Sequence, residues 1–304
     1  MTEVAPPAEP RVGVVGVNGH EGRNGTSISA GTQKSEWKTT ESVPLTRESF
    51  LDLLYGRTPL VCSPHFISDE TSKRLLEHLT PKFDPEKVGI AQFEFQAQSE
   101  EDFKNRKGDE KQRYFDEVRR TKSLHPDVSK VVGENAWAKV IATIAELVPE
   151  WDVGEASEGP GNEYFSGIFR KLNKGTPIHC DWAPYDAATE DWVLNKITHQ
   201  AAVNLYLSPF KGGGTTVFDV QWSEDALNYR DPAHYGYHEA LVKGRKKAPF
   251  QPRVGGLYMF NARNMHQVAA LAEDYKVQRI TLASFIGLLP SEVTGGKPKL
   301  IFWS

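Results

Sequence analysis

Hydrophobic residues in the first half of the chain recur at the spacing of one face of a helix. The pattern predicts helices over 45–55, 68–80 and 135–148. Thr46 and Ser68 have the short polar side chains that cap a helix N-terminus, and Pro149 stands where the third helix must end. None of these segments carries evident chemistry, so we expect them to brace a sheet.

After the Gly-Pro-Gly sequence at 159–161, the pattern changes to short β-runs separated by turns. These runs cover 163–172, 177–182, 196–207, 215–220, 256–260, 266–271 and 277–288. Short runs broken by Gly, Pro and Asn predict a β-sandwich or barrel. A jelly roll has eight strands, and we expect the remaining one near 250–253.

The predicted fold class is mainly β with helical support (α+β), with a jelly-roll core over 160–290 and bracing helices within 41–155. Residues 1–40 are rich in Gly, Pro, Ser and Thr and lack sustained periodicity. This composition predicts a poorly packed N-terminal arm in front of a single domain, 41–304. The segment 222–247 is longer than most loops, so we expect it to be either a lid or irregular surface structure.

The composition excludes several classes of protein. A formal net charge of −4 over 304 residues gives no basic surface for nucleic acid. No apolar run approaches the roughly 20 residues that span a bilayer. Only Cys62 and Cys180 are cysteines, and the N-terminus lacks the basic and apolar segments of a signal peptide, so we expect a cytoplasmic protein. The composition does not indicate an oligomeric state.

The stretch 176–182, Thr-Pro-Ile-His-Cys-Asp-Trp, places an imidazole and a carboxylate two residues apart. In an extended strand, His179 and Asp181 project to the same face. Taken alone, the triplet favours an ordinary hydrogen bond at a strand end. His266, at the start of a later β-run, adds a third candidate ligand, and two histidines with one carboxylate form the open-sided site typical of non-haem Fe(II).

An arginine follows on the next predicted strand. In the sequence Gln-Arg-Ile-Thr-Leu-Ala-Ser, alternation puts Arg279 and Thr281 on one face of an otherwise apolar strand. A guanidinium that faces the interior of a barrel is costly unless an anion compensates its charge. A bound dicarboxylate would do so through bidentate hydrogen bonds.

The order and spacing of these residues resemble the Fe(II)/2-oxoglutarate-dependent oxygenases. In that family a double-stranded β-helix carries H-x-D, then a distal His, then Arg-x-Ser/Thr on the following strand. The resemblance covers residues 160–290 and implies that His179, Asp181 and His266 hold Fe(II). It also implies that Arg279 and Thr281 bind the distal carboxylate of 2-oxoglutarate, with O2 as the second cosubstrate.

The same resemblance implies oxidative decarboxylation of 2-oxoglutarate coupled to oxidation of a substrate C–H bond, by default hydroxylation. Halogenation is excluded by Asp181, because halogenases of this family have a small residue in place of the carboxylate. Asn204, on the polar face of a predicted strand, is either a further contact to the cosubstrate or a partner in a cross-strand hydrogen bond.

Substrate contacts are expected next to the metal carboxylate. Trp182 and Tyr185 predict an aromatic wall beside the iron, and Arg170, on the strand before the triplet, suits a substrate carboxylate. An outward-facing surface arginine is an equal alternative for Arg170. We expect a small-molecule substrate, a free amino acid or an amino-acid-derived metabolite.

Three alternatives remain open from the sequence. The same cofactor chemistry ends in desaturation or ring formation in some enzymes. A non-catalytic jelly-roll protein would keep the fold as a binding module. A zinc hydrolase would use the same three ligands to activate water, although it gives Arg279 no role.

Overall fold

The computed structural model describes residues 36–83, 89–90, 109–188, 191–231, 235–274 and 277–304. The predicted N-terminal arm, 1–40, therefore lies outside the described residues apart from 36–40. Among the described residues, no helix is long and apolar enough to cross a membrane.

Some of the helices begin at a residue whose side chain caps the N-terminus. The α-helices are α1 (Arg47–Leu54), α2 (Asp69–Leu79), α3 (Asp109–Thr121), α4 (Leu124–Val132), α5 (Ala136–Leu147), α6 (Ala183–Asp186) and α7 (Ser291–Thr294). The Thr46 side chain accepts a hydrogen bond from the backbone N–H of Ser49, and Asn135 caps α5 in the same way. All three predicted helices are present, as α1, α2 and α5.

Most of the β-strands lie in the second half of the chain. The strands are β1 (Val43–Pro44), β2 (Leu60–Ser63), β3 (Gly89–Ile90), β4 (Asp152–Glu155), β5 (Ile168–Lys171), β6 (Thr176–His179), β7 (His199–Tyr206), β8 (Thr215–Gln221), β9 (Lys247–Phe250), β10 (Leu257–Asn261), β11 (Asn264–Val268), β12 (Ile280–Leu289) and β13 (Lys299–Trp303). Their pairing divides them between two sheets.

The large sheet runs in the order β1-β2-β10-β7-β12-β13-β4, and β5 pairs with the first half of β12. The small sheet runs in the order β6-β11-β8-β9. From β5 to β12 the chain passes back and forth between the sheets, with β8 and β9 consecutive in the small sheet. This is the strand order of a double-stranded β-helix, and the predicted jelly roll is confirmed. The expected eighth strand, β9, begins at Lys247, slightly before the predicted position, because Ala248 is buried and starts the alternation.

The large sheet has two distinct faces. On its helix-facing side, Val203 and Leu205 of β7 are fully buried in one cluster with side chains of α2 and α5. On its inner face, Ala202 and Tyr206 of the same strand pack against the small sheet. Full burial of one such apolar side chain stabilises the fold by about 1.5–3 kcal/mol.

A glycine allows β5 to approach the helices. Gly167, the residue before β5, has φ +77°, which an L side chain rarely adopts. A Cβ atom at this position would lie 2.6 Å from the Trp137 ring of α5 and 2.8 Å from the imidazole of His125 on α4. The strand that leads into the H-x-D triplet is therefore fixed tightly against the helical layer.

The insert 222–247 lies on the outer face of the small sheet. It contains two 3-10 helices, Glu224–Tyr229 and Glu239–Leu241, and residues 232–234 within it lie outside the described part. Tyr237 and Val242 pack on the outward side chain of Ile178. The Tyr237 N–H also donates a 2.7 Å hydrogen bond to the Ile178 carbonyl, so the insert runs along the open edge of β6.

Candidate active site

Three ligand-type side chains converge at the inner face of the small sheet. His179 at the end of β6 lies directly across from His266 on β11, and their ring centroids are 4.1 Å apart. The Asp181 N–H donates to the Ala262 carbonyl at 2.9 Å, which holds the carboxylate beside both rings. Asp181 Oδ2 lies 3.3 Å from His266 Nε2 and 4.0 Å from His179 Nε2. These three residues could together hold a metal ion.

Backbone carbonyls orient both imidazoles in the same way. His179 Nδ1 lies 2.9 Å from the Pro177 carbonyl, and His266 Nδ1 lies 2.9 Å from the Asn264 carbonyl. Because a carbonyl oxygen can only accept, each Nδ1 carries the proton and each neutral ring presents the lone pair of Nε2 to Asp181. Two acceptors 3.3 Å apart repel unless a proton or a cation lies between them, so the donor set fits a metal.

The charge states of the cluster also suit a divalent cation. Burial alone raises the pKa of Asp181, but its close contact with the His266 imidazole and the positive charge of Arg170 help to outweigh that effect, and the pKa is lowered. Burial and the adjacent His266 lower the pKa of His179 to about 4. At neutral pH the cluster therefore offers a carboxylate and a neutral imidazole, the forms that bind metal.

Arg279, immediately before β12, is a buried cation with unused hydrogen-bonding capacity. It is only 5% exposed, and its guanidinium lies 5.7 Å from the Tyr206 ring centroid and 5.8 Å from that of Phe210. One Nη donates to the Gly213 carbonyl at 3.3 Å, and the side chain also hydrogen-bonds to Tyr206. Its Nε has no partner within the described residues. A buried guanidinium without a carboxylate fits an anionic ligand such as 2-oxoglutarate.

Thr281 shares the inner face with Arg279. It lies two positions further along β12 and is 4% exposed. Its cross-strand neighbours are Arg170 on β5 and Tyr206 on β7. The sequence-predicted pair Arg279 and Thr281 is therefore together on the wall that faces the small sheet, which carries the histidines.

Two proteins are similar to this chain in sequence, although no family profile matches it. Leucinostatins biosynthesis cluster protein S of Purpureocillium lilacinum is 33% identical over 220 residues, 71% of this chain and 84% of that protein. L-γ-glutamyl-L-propargylglycine hydroxylase of Streptantibioticus cattleyicolor is 33% identical over 149 residues, 47% of this chain and 50% of that enzyme. The chain thus matches about half the length of the hydroxylase.

The chain belongs to the Fe(II)/2-oxoglutarate-dependent oxygenases. It is a non-haem dioxygenase that uses Fe(II) and 2-oxoglutarate.

Solved structures with a similar arrangement are more distant. The N-substituted L-amino acid dioxygenase of Burkholderia ambifaria aligns with 84% of the oxygenase and 91% of its own chain, at 14% identity and a TM-score of 0.49. The non-heme α-ketoglutarate-dependent epimerase SnoN aligns with 79% of the oxygenase and 82% of its own chain, at 11% identity and a TM-score of 0.39. Similarity of this extent gives no information about individual site residues.

Asn204 lies on the inner face of the oxygenase, between Tyr258 and Ala283 of the neighbouring strands. It is half-buried, and its amide has no hydrogen-bond partner among the described residues. The cross-strand hydrogen bond that was the alternative for this residue is therefore absent there, and a contact to the cosubstrate stays a prediction.

The two aromatic residues that follow Asp181 are engaged in packing. Trp182 is 8% exposed, and the guanidinium of Arg263 lies 4.8 Å from its ring centroid. The Tyr185 ring packs against Trp222 with 4.7 Å between centroids. Both belong to, or pack against, one aromatic cluster of the oxygenase, and their contact with substrate stays a prediction.

Two further residues of the site had little or no signal in the sequence. The Phe260 ring of β10 lies 4.8 Å from the His266 ring, and the alternation of β10 could have put it on the inner face. The Tyr235 ring meets His179 edge-on at 5.4 Å. Tyr235 belongs to the insert, where no periodicity indicates which residue turns back toward the metal ligands.

Proposed function

We propose that this oxygenase hydroxylates a C–H bond of a small, amino-acid-derived molecule, with Fe(II) held by His179, Asp181 and His266. The observation that carries the proposal is the convergence of two Nε2 lone pairs and one carboxylate oxygen at one point of the inner cavity. The double-stranded β-helix around them and the unpaired donor of Arg279 support it.

Each protein group in this proposal has a defined task. The Pro177 and Asn264 carbonyls keep the two imidazoles in the tautomer that can bind metal. Arg279, with Thr281 beside it, neutralises and orients the distal carboxylate of 2-oxoglutarate. Phe260 shields one side of His266 from water. When bound, Fe(II) and 2-oxoglutarate supply the oxidising chemistry, with succinate and carbon dioxide as coproducts.

The function of one relative supports the choice of substrate class. That relative hydroxylates a γ-glutamyl derivative of an amino acid, as its name states. We propose that the substrate here is likewise a small amino-acid derivative.

The ligand assignment is tested by anaerobic spectroscopy. Addition of Fe(II) and then 2-oxoglutarate is expected to produce a visible charge-transfer band, and His266→Ala is expected to abolish it. The matched control is His65→Ala, because His65 is exposed and lies outside the cluster. An unchanged band in His266→Ala would show that the ligands are wrong.

The reaction type is read from the product of the same enzyme. A mass-spectrometric screen of amino acids and their derivatives is expected to find a gain of one oxygen that depends on both Fe(II) and 2-oxoglutarate. A loss of two hydrogens with the same dependence would instead indicate desaturation or ring formation.

A further inference from the structure

Arg170 lies on the inner face of the large sheet, next to the predicted cosubstrate contact Thr281. Alternation along β5 puts Phe169 into the helix-facing cluster, so Arg170 projects to the opposite side. There it lies across from Thr281 of β12, in the same row of the sheet. Unlike Arg279, which is buried, Arg170 keeps much of its side chain exposed.

Arg170 lies close enough to the metal ligands for the charge of Asp181 to act on its guanidinium. Surrounding protein atoms desolvate its guanidinium and lower its pKa, although the negative charge of Asp181 acts in the opposite direction. The charges that act on Arg170 thus belong to the site itself. Within the described part of the chain, no carboxylate forms an ion pair with Arg170, so its charge is available to a ligand.

Tyr235, from the insert, lies on the other side of the metal ligands, beside His179. Its ring contacts His179 edge-on, and the residue is 38% exposed. The segment around it is anchored, since Asp231 N–H donates to the Gly236 carbonyl at 2.9 Å and Tyr237 pairs with Ile178. The phenol hydroxyl of Tyr235 can donate a hydrogen bond to a carboxylate.

When metal and 2-oxoglutarate are bound, the positive charge of Arg170 has no counter-charge in the site. A divalent metal, the Asp181 carboxylate, the two carboxylates of 2-oxoglutarate and the Arg279 guanidinium together carry no net charge. The positive charge of Arg170 is therefore compensated only if a further anion enters. Guanidinium groups bind carboxylates through two parallel hydrogen bonds, which also fixes the orientation of the ligand.

We propose that Arg170 and Tyr235 form a clamp that binds the carboxylate of an anionic substrate and so selects the C–H bond that faces the metal. This inference rests on the proposed function of the site and names its substrate class: small molecules with a free carboxylate. The clamp joins the large sheet to the insert, which gives the insert a role in substrate recognition.

The test compares acids with their neutral amides on the loaded enzyme without oxygen. Free and N-acetylated L-amino acids, each paired with its C-terminal primary amide, are titrated by calorimetry into protein that contains Fe(II) and 2-oxoglutarate. The acid of a pair is expected to bind. Its amide is expected to bind at least about tenfold more weakly, as for loss of a charged hydrogen bond. Arg170→Gln is expected to remove this preference, and Tyr235→Phe to reduce it.

Two controls separate the clamp from other roles. Arg245→Gln removes an exposed arginine of the insert and is expected to change nothing. Arg170→Gln is expected to retain the charge-transfer band with Fe(II) and 2-oxoglutarate, whereas loss of that band would assign Arg170 to the cosubstrate and overturn the proposal. Absence of the band in the unaltered protein would instead overturn the proposed function of the site.

The remaining outcomes are also decisive. Equal binding of acids and amides to the unaltered protein, or no binding of any acid in the series, would overturn the clamp. An equal loss of affinity for the acid and for its amide in Arg170→Gln would also overturn the clamp, since that result indicates that Arg170 acts through its shape and not through its charge. Arg170→Lys, which keeps the charge, is expected to recover part of the preference.

Discussion

The two faces of the large sheet differ in how completely their side chains are satisfied. On the helix-facing side, Val203, Leu205 and Leu282 are fully buried in one continuous apolar cluster. On the inner face, the same strands carry Asn204, whose amide has no partner among the described residues, and the adjoining Arg279 has an unpartnered Nε. The helix-facing side therefore supplies stability, while the inner face keeps polar groups available for ligands.

The largest expected effect is on the helix-facing side. Leu205→Ala removes a fully buried side chain and is expected to lower the free energy of unfolding by about 2–5 kcal/mol. Chemical denaturation measures this loss. The folded fraction of the variant is expected to give the same charge-transfer band with Fe(II) and 2-oxoglutarate, because Leu205 points away from the cavity.

The matched control is the next residue along β7. Asn204→Ala alters the inner face and is expected to change the free energy of unfolding by less than about 1 kcal/mol while weakening 2-oxoglutarate a few-fold, as for one lost hydrogen bond. If Asn204→Ala destabilised the protein as much as Leu205→Ala, the assignment of stability to the helix-facing side and of ligand binding to the inner face would be wrong.

A smaller free-energy change is expected from the buried cation of the inner face. Arg279→Ala is expected to weaken 2-oxoglutarate by about 10- to 100-fold, the size of a lost charge-assisted interaction, with Fe(II) affinity nearly unchanged. Anaerobic titration of the charge-transfer band measures the first constant, and competition with a metal-sensitive dye measures the second. Equal losses for metal and cosubstrate would contradict the role of Arg279.

The stability of the Arg279→Ala protein without ligands sharpens the same point. A buried charge without a counter-ion destabilises a fold, so its removal is expected to leave the ligand-free protein at least as stable as before. A large loss of stability would mean that Arg279 serves the structure and not a ligand.

Much of the site could be predicted because its signals are local or periodic. The two-residue spacing of His179 and Asp181 fixes their common face in any strand, and the alternation of β12 puts Arg279 and Thr281 on one wall. The pairing of His179 with His266 is different. It depends on β6 and β11 being neighbours, a matter of topology that only the resemblance to a family supplied.

The parts that could not be predicted depend on tertiary packing. Trp182 follows Asp181 in the chain, yet its ring is drawn into an aromatic cluster under Arg263. Tyr235 lies far from the metal ligands in sequence and reaches His179 because the insert pairs with the edge of β6. Arg170 had two equal interpretations; the burial of its neighbour Phe169 against the helices puts Arg170 on the inner face, and its contact with substrate stays a prediction.

The smallest expected effect is on the pH dependence of stability, and it comes from His125 on the helix-facing side. The ring of His125 on α4 stacks on Phe165 with 5.9 Å between centroids, and its Nε2 lies 3.1 Å from the Ser166 carbonyl. Burial lowers the pKa of His125, although hydrogen bonds with the backbone of Ser166 and Gly167 oppose the shift. The folded protein therefore prefers the neutral ring, while the unfolded chain takes up a proton near pH 6.5.

The sign of the resulting pH dependence follows from proton uptake. Below about pH 6.5 the unfolded state binds more protons than the folded state at His125, so stability is present above that pH and is lost as the pH falls. His125→Phe keeps an aromatic ring but removes the proton, and the fall in melting temperature between neutral and mildly acidic pH is expected to be shallower than in the unaltered protein. His65→Gln, at an exposed position, is expected to leave the slope unchanged. Equal slopes for His125→Phe and the unaltered protein would mean that the folded protein accommodates a charged His125. Water would then have more access to the helix-facing side than its apolar packing indicates.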